Sequence, residues 1–226
     1  FEGRAEAAQQ AEALTRLGIP VARFRIASVD DLFACISRLG VLTGEKEKAE
    51  ALIRDFRSRL DKVAAGTAGM TDKHSVFFEV RYPNLLGAGA GSMVGDIIAR
   101  AGGRNSLSGY DERMVRLSEE TLALLNPDIY LVQAGAMNKN PIPPRQRDHF
   151  RTLEAVAANQ VFIVPESVYS RAGPKSVDAV EDLSRIVRDW HSRRATQLGR
   201  GSRTGLDNAA EKPHYRTPDF YRSIVF

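Results

Sequence analysis

The sequence predicts an α/β fold in which helices cover a parallel sheet and one long helix joins two lobes. Three short apolar runs, VFFEV (76–80), IYLVQ (129–133) and VFIVP (161–165), are rich in β-branched and aromatic residues and are separated by helix-patterned segments. That alternation is the pattern of βαβ units around a sheet buried on both faces. A single stretch, TGEKEKAEALIRDFRSRLDKVAAG, places Ala49, Leu52, Ile53, Phe56, Leu60 and Val63 on one helical stripe. The composition of the 226 residues, with a formal charge of +4, is that of a globular chain with material for one large or two small cores.

From the N-terminus, AEALTRLGIPVARFRI reads as a helix, a turn at GIP and a strand. Cys35, the single cysteine, lies in the apolar pattern of DLFACISRL and reads as a small buried thiol. The long helix should run from about 44 to 64, capped by Thr43, with Glu45 and Glu47 in its first turn and Gly66 and Gly69 breaking it. At 1.5 Å per residue it would be about 30 Å long, enough to connect two lobes. SMVGDIIARAG then reads as a helix capped by Ser92, with Asp96 in its first turn. Val94, Ile97, Ile98 and Ala101 share a face, and Gly102 and Gly103 stop the helix. SEETLALLN is a further short helix, and the last runs from about Lys175 to Trp190. Beyond it periodicity is lost, and the stretch from His191 to Arg222 holds most of the local basic excess.

Several chemistries are disfavoured. No run approaches the ~20 apolar residues of a membrane helix. GAGAGS (87–92) resembles a phosphate loop but lacks the Lys of a P-loop and the glycine register of a dinucleotide fingerprint, so it reads as a turn opening a helix. The four histidines are far apart in sequence, none with a second ligand at metal spacing, and read as surface or loop residues. There is no G-x-S-x-G elbow and no basic neighbour for Cys35, so no catalytic residue, metal or cofactor is expected. The dispersed charge gives no nucleic-acid signature.

The loops after the three runs are more informative, because ligands of parallel sheets meet the carboxyl ends of the strands. RYPNLLGAGAG, AGAMNKNPIPPRQ and ESVYSRAGP supply Arg81, Tyr82, Met137, Asn138, Tyr169, Ser170 and Arg171. Cations and amphipathic rings with few acids suit a bulky, partly aromatic, anionic small molecule. The alternative is that these are ordinary surface loops.

SMVGDIIARAGGRN, RLSEETLALLNPDIYLV and VFIVPESVYSRAGPKSVDAVEDL, in that order and spacing, resemble the metal-chelate class of ABC-importer substrate-binding proteins, over about residues 5–190. The resemblance implies two α/β lobes joined by one rigid helix and a non-enzymatic role. The ligand, a ferric siderophore first and cobalamin or haem next, would lie in the cleft between the lobes. It implies a periplasmic or otherwise extracytoplasmic, membrane-associated monomer that delivers its ligand to a permease. The docking glutamate of such proteins falls on Glu120, with Glu119 one register away. Only about 20 residues precede the GIPVARF strand, so the resemblance divides the chain into an N-terminal-lobe remnant (1–43), a linker helix (44–66), a complete C-terminal lobe (67–192) and a basic tail (193–226). Two other functions stay open on the residues: an α/β enzyme holding a phosphorylated ligand at 87–92, and a truncated interaction module acting through its tail.

Overall fold

The computed structural model describes the backbone of residues 2–200 and the side chains of 7–197. Helices α1 (Glu2–Arg16), α2 (Val29–Thr43) and α3 (Lys46–Thr67) come first. They are followed by β1 (Ser75–Arg81), β2 (Leu86–Ala88), α4 (Met93–Arg100), β3 (Arg104–Asn105), β4 (Met114–Arg116), α5 (Glu119–Leu125) and β5 (Ile129–Ala134). Two short 3₁₀ turns, Pro144–Gln146 and Asp148–Phe150, precede α6 (Glu154–Ala157), β6 (Val161–Pro165), α7 (Glu166–Tyr169) and α8 (Lys175–Arg200).

The three apolar runs become β1, β5 and β6, adjacent and parallel, with Val76 opposite Ile129 and Tyr130 opposite Val161. The order is β4-β2-β1-β5-β6, with β2 and β4 antiparallel and β3 beside the start of β1. Successive strand residues point to opposite faces, and both faces are dry. Val76, Phe78, Val80, Ile129, Leu131, Phe162 and Val164 meet α4 and α8 on one side, while Phe77, Tyr130, Val132 and Val161 meet Leu107, Leu122 and Phe150 on the other. Ser92 and Ser118 cap α4 and α5 by accepting the amides of Gly95 and Thr121.

α3 lies against α2, α8 and α4. Phe56 stacks on Phe33 of α2 at 6.2 Å, and the Arg59 guanidinium reaches Asp178 and Glu181 of α8, both at 2.6 Å. The helix differs from expectation at both ends. Thr43 closes α2, whose C-cap Gly44 takes a left-handed φ of 73°, and Glu45 precedes α3 without a side-chain cap bond. Gly66 does not break α3, which continues to Thr67. α2 itself, over DLFACISRL, is an element the sequence reading did not draw, although Cys35 is buried in it.

Other expectations also change. Residues 19–26 form no strand, since no strand among the described residues pairs with them, and Leu17, Ile19 and Val21 are exposed. α8 continues past Trp190 and residue 192 to Arg200, with Arg194 bound to Asp128 at 2.9 Å and Glu154 at 3.3 Å. The rest of the basic stretch, from residue 201, lies outside the described residues. His74 and His191 are neighbours rather than isolated surface groups, Nε2 to Nδ1 at 3.2 Å, and His74 is buried. The glycine-rich turn is partly strand β2. Beyond it, a Cβ on Gly89 or Gly91 would overlap the carbonyl oxygens of Glu112 and Asp111. Those glycines are required because one backbone lies directly on another.

Candidate functional site

Because β1, β5 and β6 are parallel, the loops beyond their carboxyl ends emerge at one edge of the sheet, the edge where α/β sheets bind ligands. Two groups of side chains organise it. The first begins with Glu79, fully buried within β1, and Arg147, whose side chain is 3% exposed. The guanidinium grips the carboxylate with two hydrogen bonds, 2.6 and 2.9 Å, and Tyr130 Oη donates to the same carboxylate at 2.6 Å. Arg147 also donates to the Ile142 carbonyl and lies over the Tyr82 ring at 3.8 Å from its centroid. Burial, with the neighbouring Glu79 carboxylate, pushes the Tyr130 phenol well above its ordinary range. For Arg147 burial opposes the charge, but the bonds to Glu79 outweigh it and hold the pKa above its ordinary value. This network pins the loop between β5 and α6 to β1.

Tyr82, half-buried, donates its Oη to Glu119 Oε1 at 2.9 Å and meets Phe150 edge-on at 5.6 Å. Its phenol is raised, first by burial and then by the bond to Glu119. Arg81 keeps a buried Nε with no partner among the described residues. Glu119 is thus committed, whereas Glu120 beside it is exposed on the second position of α5. A bond with Ser118, then one with its own amide, lowers the Glu120 carboxyl and keeps it ionised.

The second group lies at the ends of β5 and β6. Gly135 and Asn138 exchange backbone hydrogen bonds at 3.1 Å, forming a tight hairpin with Met137 exposed at its tip. Asn138 is 5% exposed, and its amide nitrogen has no partner among the described residues. Glu166, the first residue of α7, accepts the Met137 amide at 3.2 Å and lies 3.5 Å from the Gln133 amide nitrogen. Arg171 Nε is 3.5 Å from its other oxygen, and Ser170 donates its hydroxyl to buried Gln133. Met137, Asn138, Ser170 and Arg171 therefore gather as the sequence suggested, while Arg81 and Tyr82 stand at the end of the adjoining strand. Tyr169 does not join them. α7 turns it inward, 0% exposed, against Phe78, with its Oη donating to Asp182 at 2.8 Å, because α8 offers an apolar pocket with one buried acceptor. Burial raises the Asp182 carboxyl.

Glu79, Arg147, Gln133 and Glu166 were not singled out from sequence. Only Glu79 left a signal there, as an acid inside an otherwise apolar run. The glycine-rich turn is a poor phosphate cradle: the amides of Gly89, Ala90 and Ser92 already donate to the carbonyls of Arg113, Tyr110 and Gly89. Among the described residues there is no metal-ligand cluster of three or more, and no helix long and apolar enough to cross a membrane.

Comparison with known proteins agrees with this architecture. An uncharacterized ABC transporter substrate-binding lipoprotein of Bacillus subtilis, YvrC, is 24% identical over 163 residues, covering 71% of this chain and 51% of its own. The chain thus spans about half the length of that curated relative. Among solved structures, the periplasmic heme-binding protein RhuT of Roseiflexus sp. RS-1 superposes with a TM-score of 0.71 at 18% identity, covering 80% of this chain and 72% of that one. The periplasmic vitamin B12 binding protein BtuF of Vibrio cholerae gives 0.69 at 19% identity, covering 81% and 71%. These likenesses establish a shared fold. The family model for periplasmic binding proteins matches residues 3–168, well over half of the chain, which belongs to that family.

Proposed function

We propose that the chain is the solute-binding part of an ABC importer, capturing a metal chelate outside the cytoplasm as a monomer and delivering it to a membrane permease. A ferric siderophore is the first candidate, with cobalamin and haem next. The observation that carries this reading is the convergence of Arg81, Tyr82, Met137, Asn138, Ser170 and Arg171 on one edge of the parallel sheet, with donors of Arg81 and Asn138 left without partners among the described residues. Relatives named for cobalamin and heme support the chelate class. Glu120, ionised and exposed beside a Glu119 held by Tyr82, suits docking to permease arginines through charge-assisted hydrogen bonds.

One experiment tests both parts. Calorimetric titration with a ferric siderophore, haem and cobalamin should give saturable one-to-one binding of at least one. Glu120→Arg should leave that affinity unchanged and abolish uptake by cells carrying the cognate permease. Failure of all three ligands to bind overturns the reading. Binding together with full uptake by the Glu120 variant overturns the docking role alone.

A further inference from the structure

The sequence reading expected the ligand edge to carry cations and few acids. The fold places an acid at its centre. Glu166 is only 14% exposed at its side chain and is fixed from three sides: the Met137 amide donates to one carboxylate oxygen, the Gln133 amide approaches the same oxygen, and Gly135 lies directly beneath. Any Cβ at Gly135 would overlap the Glu166 side chain, so the hairpin is shaped around this carboxylate. Its second oxygen faces Arg171, whose side chain is 68% exposed and makes no other ion pair among the described residues. A surface pair of this kind contributes little to stability. Its effect on a ligand is larger, because a fixed negative charge stands wherever an anionic group would approach Arg171.

We propose that Glu166 sets the charge preference of this edge, neutralising Arg171 so that chelates without net negative charge are selected over polyanionic ones. This rests on the chelate-binding reading above and narrows it. The carboxylate also serves as an acceptor for ligand amide or ammonium donors, which reinforces the same preference. Specificity here comes from repelling the wrong ligand as well as from holding the right one.

The test uses two ferric probes of similar size: a trihydroxamate chelate, which is neutral, and a tris-catecholate chelate, which is trianionic. Calorimetric affinities are measured for the wild-type chain and for Glu166→Gln, which keeps an acceptor for the Met137 amide while removing the charge. The wild type should prefer the neutral chelate, and Glu166→Gln should shift the affinity ratio toward the trianion by about tenfold. Adding Arg171→Gln to that variant should reverse the gain, and far-ultraviolet circular dichroism with thermal melting shows that each variant is folded. A purely structural role for Glu166 would weaken both probes equally. An unchanged ratio with binding retained, or a wild-type preference for the trianion, overturns the charge-selection proposal and leaves chelate binding standing. Absence of binding of either probe, and of haem and cobalamin, overturns both.

Discussion

At the scale of single residues, the most consequential pair is Glu79 and Arg147, 68 positions apart and joined by two hydrogen bonds in a dry interior. A buried ion pair contributes little net stability over an apolar replacement, yet losing one partner strands the other charge. Arg147→Met should therefore cost about 3–5 kcal/mol in urea unfolding, and the double change Glu79→Leu with Arg147→Met should recover most of that loss. A single variant as stable as the wild type would contradict the network. The pair also marks where residue-level reading stops. An acid within VFFEV announces that a cation must come to it, but which of the chain's 32 basic residues answers depends on the path of the loop after β5. Tyr169 shows the converse. Its type and position suited a ligand contact, and only the turn of α7 sends it into the core beside Asp182.

At the scale of elements, α8 is held at both ends. Near its start, Asp178 and Glu181 receive Arg59 from α3, and the first cause of the lowered Glu181 carboxyl is its bond to that guanidinium. Farther along, His191 meets His74, the residue before β1, and Arg194 reaches Asp128. Burial is the main cause that holds His74 below its ordinary value of 6.5. Asp128 and Asp72 oppose this, whereas His191 and Arg194 reinforce it. The unfolded chain thus binds the His74 proton more readily than the folded one, so this contribution to stability is complete above about pH 6.5 and is lost as pH falls below it. Unfolding followed by the fluorescence of Trp190, the only tryptophan and edge-on to His74 at 6.4 Å, should show the urea midpoint declining through that range. His74→Gln should flatten the decline, and an identical slope in both proteins would contradict this assignment. The elements themselves were largely legible, since β1, β5, β6, α4 and α5 follow directly from period and caps. α2 was equally available: Ser28 and Asp31 form a capping box ahead of its apolar pattern. The glycines at 89 and 91 were visible, but their reason was not, because it lies in the carbonyls of 111 and 112.

For the whole molecule, the parallel order of β1, β5 and β6 does most to assemble the candidate site, because it brings three loops distant in sequence to one edge. The sequence grouped those three loops at one edge, and the parallel strands do bring them there. It missed the carboxylate that organises them, since nothing in ESVYSRAGP says that Glu166 will lie over Gly135 and hold Met137. On the proposed function, a chelate occupies this edge and not the glycine-rich turn. Hydrogen exchange of the backbone amides, compared with and without the tightest-binding ferric chelate, tests it most directly. Protection should rise in residues 81–86, 135–138 and 166–171 and stay unchanged in 87–92 and 107–113. Protection confined to 87–92 and its partner segment 107–113, or no chelate-dependent protection anywhere, would contradict chelate binding at this edge.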